Sequence, residues 1–280
     1  TTLRTFVADR LKSYLLVLIL GIPIGACVLA LLQHSFFMAW LVWTAIELGL
    51  AWLMPVIFLP MFAKLTPLPP GALADRISGL AARLAFPFSR VYLMDGSRRS
   101  SRANAFFAGF GPTRKIVLFD TLVARLSEDE IVAVLAHEIG HWKRKHVLRR
   151  LALGLSLSFA GFSAAALLWQ EPTVSAALGL EKPHLHTALL SLSFLARPFS
   201  AAVGFLSSWL SRKHEYEADA FARDALNGNA RPLVTALTSL AQDHKAHPDP
   251  HPIRVALAYS HPTLLQRRTA LSGPGIASVD

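Results

Sequence analysis

Cysteine is almost absent from this chain, and charged residues are scarce. The single cysteine, Cys27, lies inside an apolar run, so an internal disulfide and a zinc site built from cysteine pairs are both excluded. Charged residues make up only 16% of the 280 residues, while hydrophobic residues make up 53%. This balance is typical of membrane proteins and not of a soluble domain.

Long uncharged apolar segments predict four membrane-spanning helices. Each is close to the roughly 20 residues that a helix needs to cross the hydrocarbon core of a bilayer. The predicted spans are Leu15–Leu32, Phe36–Ala63, Leu151–Trp169 and Thr187–Leu210. The last two are also compatible with buried helices of a large soluble core, although their length and low charge favour the membrane.

Basic residues are distributed unevenly between the predicted loops. The segment 64–150 holds fifteen Lys and Arg residues against seven Asp and Glu, whereas the linkers 33–35 and 170–186 together hold one basic residue. Because loops rich in Lys and Arg stay in the cytoplasm, the N-terminus, the segment 64–150 and the C-terminal tail are predicted on the cytoplasmic side. The net charge of +10 therefore indicates attraction to an anionic leaflet, and nucleic acid is not expected as a partner.

Two ionisable residues fall inside predicted spans, where charge is costly. Glu47 and Arg197 are predicted either to pair with each other or to line a water-filled chamber. The alternative is that Arg197, which precedes Pro198, marks a kink and extends its side chain to the membrane surface.

The strongest chemical signal is His137-Glu138-Ile139-Gly140-His141, which matches the H-E-x-x-H pattern of zinc peptidases. Residues four apart share a helix face, so both imidazoles can reach one metal ion. Glu138 lies beside them, where a carboxylate can take a proton from water. Two unrelated histidines on a surface helix are the alternative interpretation.

The sequence around the motif predicts the helix that this chemistry needs. Ser127 and Glu130 form a capping box, and an apolar face follows. Gly140 is interpreted as leaving room for the ion or the substrate. His146 is predicted to face away from the site, at an interface or in solvent.

The third ligand must come from a distant segment. The extended motif H-E-x-x-H-x-x-G-x-x-H is excluded, because Arg144 and Val147 stand where its glycine and third histidine would be. Glu215 is the best candidate, with Asp219 one turn later as the carboxylate that orients a ligand histidine. Glu217 is the reserve candidate, and an ordinary solvated acidic face is the alternative.

The segment between the second span and the motif predicts a small sheet. Leu73–Leu84 has a helical pattern, Arg90–Met94 and Lys115–Phe119 have strand patterns, and Asp95–Ser97 is typical of a turn. Asn104–Phe110 is interpreted as an edge strand beside the motif helix, where an extended peptide can add as a further strand. A plain core strand is the alternative.

Taken in chain order, these segments resemble the type I CAAX prenyl proteases, which are integral-membrane zinc endopeptidases. The matching segments are Asp95–Ser97, Asn104–Phe107, Ile116–Leu122, His137–Trp142, Glu215–Ala222 and Tyr259–Pro262. The resemblance extends from the first span to about Leu271 and implies a mainly α multi-span membrane protein. Its catalytic domain is expected to be zincin-like (gluzincin) with a small β-sheet.

The resemblance also implies roles for individual residues. The implied ligands of one zinc ion are His137, His141 and Glu215. The other residues implied in catalysis are Glu138 as general base, Asp219, His261 and Arg267, the last two near the reacting carbonyl or the C-terminus of the substrate. The implied substrate contacts are Asn104, Ala105 and Phe106.

His261 has a separate rationale, because peptide hydrolysis builds negative charge on the carbonyl oxygen and a nearby donor stabilises it. Tyr259 is the other candidate donor, and an ordinary His-Pro loop is equally compatible with the sequence.

The sequence predicts four parts. They are two N-terminal spans (1–63), a cytoplasmic catalytic part with the sheet and motif helix (64–150), two further spans (151–210) and a C-terminal part with the third ligand (211–280). Relatives usually carry extra N-terminal spans, so the chain is expected to be shortened or a fragment.

The sequence therefore predicts a zinc endopeptidase of peptide or protein substrates, with or without a C-terminal prenyl group, embedded in a lipid bilayer. Richness in alanine, leucine and arginine favours a bacterial inner membrane, with an ER-type membrane as the alternative. Two other functions stay open: a broad-specificity quality-control protease of the HtpX type, and an inactive membrane scaffold.

Overall fold

The computed structural model describes residues 2–109, 114–169, 171–177, 179, 184–243, 247 and 250–272. The chain divides into two compact units. The first, called the site unit, comprises Thr1–Phe6, Trp52–Val147 and Phe205–Asp280, and the second, called the span unit, comprises Val7–Ala51 and Leu148–Gly204.

Helices dominate the described residues, as the sequence predicts. In chain order they are α1 (Leu3–Leu16), α2 (Ile22–His34), α3 (Phe36–Leu53), α4 (Leu59–Phe62), α5 (Ala72–Arg83), α6 (Asp120–Val123), α7 (Glu128–Lys143), α8 (His146–Trp169), α9 (Pro172–Ala177), α10 (Leu185–Leu195), α11 (Arg197–Ala225), α12 (Arg231–Asp243), α13 (Pro252–Ala258) and α14 (Leu264–Ser272). The strands are β1 (Leu65–Pro67), β2 (Arg90–Met94), β3 (Ala105–Ala108) and β4 (Lys115–Phe119).

Three helices among the described residues are long and apolar enough to cross a membrane. They are Leu3–His34, Phe36–Phe62 and His146–Leu168. The fourth predicted span is broken: Leu189–Leu195 and the helix that begins at Arg197 meet at 56°. The first helix begins well before the predicted Leu15, so that it includes the basic residues Arg4, Arg10 and Lys12 in its first turns.

The break before Arg197 confirms the predicted kink. Pro198 lacks a backbone N–H and disfavours helical geometry in the residue before it, so a new helix begins there. Glu47 and Arg197 are both exposed, and no ion pair joins them in the described part of the chain. The alternative of a Glu47–Arg197 pair is therefore wrong.

Apolar contacts hold the helices of the span unit together. The Trp40 indole Nε1 donates a hydrogen bond to Ser158 Oγ at 3.1 Å, and the Trp40 ring meets Phe159 edge-on at 4.9 Å. Leu32, Ala39 and the α8 residue Ala165 are buried in the same cluster. Small residues and one polar contact are the usual means by which helices associate in membranes.

The sheet of the site unit has the order β1-β2-β4-β3. β1 pairs antiparallel with β2, β2 parallel with β4, and β4 antiparallel with β3. β4 pairs on both sides, and its residues Ile116, Val117 and Leu118 are fully buried. β3 is an edge strand of this sheet, as predicted, although Phe110 lies outside the described residues. β1 was not anticipated from the sequence.

The motif helix α7 is the centre of the site unit. It packs against α5 and α12 and lies next to β3. Its residues Ile131, Leu135 and Ile139 are buried in the core of the unit. Its start is the predicted capping box: Glu130 N donates to Ser127 Oγ, and Ser127 N donates to Glu130 Oε2 at 2.8 Å. A cap of this kind contributes about 1 kcal/mol to helix stability.

Candidate metal centre

Three side chains predicted as metal ligands converge in the site unit. His137 and His141 lie one turn apart on α7, and Glu215 faces them from α11. His137 Nε2 is 3.1 Å from His141 Nε2 and 3.6 Å from Glu215 Oε2, while His141 Nε2 is 3.4 Å from Glu215 Oε1. Among the described residues they form a group whose ligand atoms all lie within 4.8 Å of one another.

These distances fit a single small metal ion. Ligand bonds of about 2.0–2.1 Å in tetrahedral geometry place the ligand atoms about 3.3 Å apart, which is close to the spacings observed. Two imidazoles and one carboxylate form a recognised three-residue ligand set of catalytic zinc sites, which leaves a fourth position open. The residues therefore fit a metal ion on geometry and on donor chemistry.

His137 is held by a carboxylate and a guanidinium. Asp219 Oδ1 lies 2.8 Å from His137 Nδ1, so the ring carries its proton on Nδ1 and presents the lone pair of Nε2 to the centre. Arg267 donates from Nε to Asp219 Oδ2 at 2.8 Å, and its Nη1 lies 3.3 Å from Glu215 Oε2. Burial opposes the charge of Arg267, but Asp219 and Glu215 outweigh it and raise the guanidinium pKa above its ordinary value.

His141 is held in a way that the sequence did not indicate. Its Nδ1 lies 2.9 Å from His146 Nδ1, and His146 Nε2 lies 3.0 Å from Glu217 Oε2. The prediction that His146 faces an interface or solvent is therefore wrong, since His146 is only 1% exposed. Glu217, the reserve ligand, contacts His146 instead of the metal group.

The turn between α7 and α8 explains this error. Lys145 has a φ of 57°, in the left-handed region that non-glycine residues rarely adopt. The chain therefore changes direction after Lys143, and His146 does not continue the spiral of α7. No residue type in this turn signals the left-handed conformation of Lys145, so helical spacing alone placed His146 wrongly.

Glu138 lies between the two ligand histidines in sequence and is partly buried. Removal from water raises the pKa of its carboxyl, an effect that His137 and His141 partly offset. A raised pKa brings a carboxylate closer to neutral pH, where a general base is most effective.

Gly140 lies at a close contact between α7 and α11 that the sequence did not indicate. A Cβ built at this position would lie 3.1 Å from the Phe221 ring and 3.2 Å from the Cα and carbonyl oxygen of Ala218. The glycine therefore allows α7 and α11 to approach closely, which brings the histidines to Glu215. The interpretation that it leaves room for the ion or the substrate stays a prediction.

His261 reaches the edge of the centre. Its Nε2 lies 3.6 Å from Glu215 Oε1, and its side chain is 64% exposed. The preceding segment is fixed by Arg212, which donates to the carbonyl oxygens of Tyr259 at 2.6 Å and Val255 at 3.2 Å. The sequence did not indicate this role of Arg212, since an arginine one turn before Glu215 is not typical of any particular site.

The predicted substrate residues lie at the sheet edge beside α7. Phe119 N donates to Asn104 O, so alternate residues of β3 bond to β4, and the backbone groups of Ala105 and Phe107 point away from it. The Asn104 side chain accepts a hydrogen bond from Ala105 N at 2.9 Å. Phe106 and Phe107 are partly exposed.

Comparison with known proteins identifies the family. Residues 67–274 match the model of peptidase family M48, and residues 1–64 match the model described as CAAX prenyl protease N-terminal, five membrane helices. The chain belongs to peptidase family M48. This membership confirms the resemblance found in the sequence, and it implies a multi-pass membrane protein with a metal centre.

Similar proteins are found in plants and animals. The chain is 35% identical to the CAAX prenyl protease 1 homolog of Oryza sativa, over 96% of this chain and 64% of the relative. It is 31% identical to the human CAAX prenyl protease 1 homolog, over 96% of this chain and 66% of the relative. The crystal structure of S. mikatae Ste24p superposes with a TM-score of 0.89 at 32% identity, covering 97% of this chain and 67% of that one. The chain therefore spans just under two thirds of the length of these curated relatives.

Proposed function

We propose that this chain acts as a membrane-embedded zinc endopeptidase of the CAAX prenyl protease type. The observation that carries the proposal is the convergence of His137, His141 and Glu215, with the Glu138 carboxylate close enough to interact electrostatically with all three. Two imidazoles and a carboxylate favour zinc over magnesium or calcium, which take oxygen ligands.

The side chains around the centre divide the work of peptide hydrolysis. Zinc, when bound, would act as a Lewis acid and would lower the pKa of a water molecule bound to it to about 7. Glu138 accepts the proton of the water that attacks the scissile carbonyl carbon. It then delivers that proton to the departing amine nitrogen as the C–N bond breaks. His261 donates a hydrogen bond to the carbonyl oxygen as negative charge develops there, while Asp219 and Arg267 hold His137 and Glu215 in place.

β3 is proposed to align the substrate. An extended peptide that adds to this edge meets the backbone groups of Ala105 and Phe107, which point away from β4. Ala105 N now donates to the Asn104 side chain, so this hydrogen bond must break before Ala105 N can donate to the peptide. We propose that the Asn104 side chain then forms a hydrogen bond with another partner. Backbone pairing holds many sequences, and the partly exposed side chain of Phe106 adds apolar contact.

The substrate and the orientation follow from the relatives and from the charge pattern. Because several similar proteins bear the name CAAX prenyl protease, we propose peptides that end in a prenylated CAAX motif as substrates. We also propose that the centre faces the cytoplasm, since the segment 64–150, which carries His137 and His141, holds fifteen Lys and Arg residues against seven Asp and Glu.

The decisive test is Glu138→Gln in the purified chain. The amide keeps the size of the side chain but cannot accept a proton, so cleavage should fall at least about 100-fold, the contribution of general base catalysis, while one zinc ion per chain remains. Zinc is measured by elemental analysis and cleavage by mass spectrometry of peptide products. Retained activity in this variant contradicts the proposed mechanism, and absence of zinc from the wild-type chain contradicts the metal centre.

A pair of matched peptides tests the substrate class. One carries a farnesyl group on the CAAX cysteine, and the other has the same sequence without it, each with and without chelator. Faster, chelator-sensitive cleavage of the farnesylated peptide supports the proposal. Equal rates favour a quality-control protease of open specificity, and no cleavage of either peptide favours a scaffold.

A further inference from the structure

We propose that His146 and Glu217 form a positioning pair that fixes the orientation and the tautomer of His141. This inference rests on the proposed role of His141 as a metal ligand. It adds two residues, one from α8 and one from α11, to the machinery that prepares the centre.

The contacts form a continuous relay. Glu217 Oε2 lies 3.0 Å from His146 Nε2, and His146 Nδ1 lies 2.9 Å from His141 Nδ1. At the other side of the His141 ring, Nε2 faces Glu215 Oε1 at 3.4 Å. Both nitrogens of each imidazole are therefore used, and the relay ends at the metal group.

The direction of the relay follows from the chemistry of its members. An ionised carboxylate only accepts hydrogen bonds, so His146 must carry its proton on Nε2. The Nδ1 of neutral His146 is then an acceptor, and His141 must donate from its own Nδ1. The remaining lone pair of His141 lies on Nε2, which is the atom aimed at the centre. The carboxylate of Glu217 thus selects the ligating tautomer of His141 through the intervening ring.

Burial and stacking restrain the central ring of the relay. His146 is 1% exposed, and its ring stacks on that of the fully buried His214, with centroids 4.0 Å apart and planes inclined by 12°. The two ligand histidines are therefore supported in parallel ways: Asp219 contacts His137 directly, and Glu217 contacts His141 through His146. A carboxylate behind a ligand histidine is a common feature of zinc sites, and its loss costs about 10- to 100-fold in metal affinity.

The test uses His146→Phe, which keeps the ring and the stacking surface but removes both nitrogens. We expect zinc affinity, measured by competition with a chromophoric chelator, to fall about 10- to 100-fold. The rise in melting temperature on adding zinc should shrink, while the melting temperature of the metal-free chain stays close to that of the wild type. Glu217→Ala should give a smaller loss of affinity, and the double variant should match His146→Phe, because the two residues act in series.

Two further variants separate positioning from packing. His146→Gln keeps one donor and one acceptor and should recover much of the affinity lost in His146→Phe. Asp224→Ala removes a carboxylate from the same helix, 67% exposed and paired with Arg223, and should leave zinc affinity unchanged. Unchanged zinc affinity in both His146→Phe and Glu217→Ala overturns the relay, as does an equal loss in Asp224→Ala. Wild-type protein that binds no zinc overturns the metal centre itself, which is a separate result.

Discussion

At the scale of single residues, the ring nitrogens of two histidines decide what the centre can bind. The H-E-x-x-H spacing and the i, i+4 relation of Glu215 and Asp219 were enough to predict three ligands and one supporting carboxylate. Arg267 was indicated only by resemblance, because its approach to Asp219 depends on how α14 packs. His146 could not be predicted, since its place depends on a left-handed lysine.

Asp219 is the residue on which the buried charges depend. Asp219→Asn removes the charged partner of Arg267, leaving a buried guanidinium with Glu215 at 3.3 Å, and it weakens the bond that fixes His137. Breaking a buried pair costs about 3–5 kcal/mol, and the remaining contact to Glu215 should keep the loss near the lower end.

We therefore expect Asp219→Asn to lower both the melting temperature in detergent and the zinc affinity, the latter by about 10- to 100-fold. Chelator competition and thermal unfolding measure the two effects. Asp224→Asn, at an exposed position on the same helix, is the control. A variant with wild-type melting temperature and zinc affinity would show that Asp219 does not hold the centre.

At the scale of secondary structure, local sequence patterns predicted the bounds of several helices and strands well, but they did not predict which elements pack against each other. The bounds of β2 and β4 agree with the predicted strands, and the capping box at Ser127 begins α7 as expected. These features depend on nearby residues, such as the β-branched apolar run of β4. β1 and the packing of α12 on α7 depend on distant partners, which a single sequence does not reveal.

The close approach of α7 and α11 is tested by a pair of glycine substitutions. Gly140→Ala places a methyl group about 3 Å from the backbone of Ala218, which cannot yield unless α11 moves. Gly79 lies exposed in α5 with nothing within 4 Å of an added Cβ, so Gly79→Ala meets no obstacle there.

We expect Gly140→Ala to destabilise the protein, because overpacking of about 1–3 kcal/mol exceeds the gain in helix propensity of about 1 kcal/mol. It should also weaken zinc binding, since the histidines move away from Glu215. Gly79→Ala should be neutral or stabilising. Melting temperatures that rise equally in both variants would refute the role assigned to Gly140.

At the scale of the whole molecule, the centre is assembled from parts of the chain that apolar spans separate. α7 precedes α8, and Glu215 lies in α11, the second helix of the broken pair Leu189–Leu195 and Arg197–Ala225. Both ligand segments must therefore reach the same side of the membrane. The sequence indicated this through the excess of basic residues in 64–150. It also indicated the break before Arg197, through Pro198, but not the angle of 56° between the two helices.

The orientation of the centre can be tested with single cysteines, because the chain has only Cys27 to replace. In a Cys27→Ala background, Ser101→Cys marks the basic segment and Ala177→Cys marks the linker between the third and fourth spans, and both positions are exposed. Each variant is treated with a membrane-impermeant thiol reagent in sealed vesicles of known sidedness. Since Lys and Arg are retained on the cytoplasmic side, Ser101→Cys should react only when that face is outside, and Ala177→Cys only in vesicles of the opposite polarity. Reaction of both in detergent shows that each thiol is accessible. If both cysteines react from one side, or if the polarity is reversed, the cytoplasmic orientation of the centre is wrong.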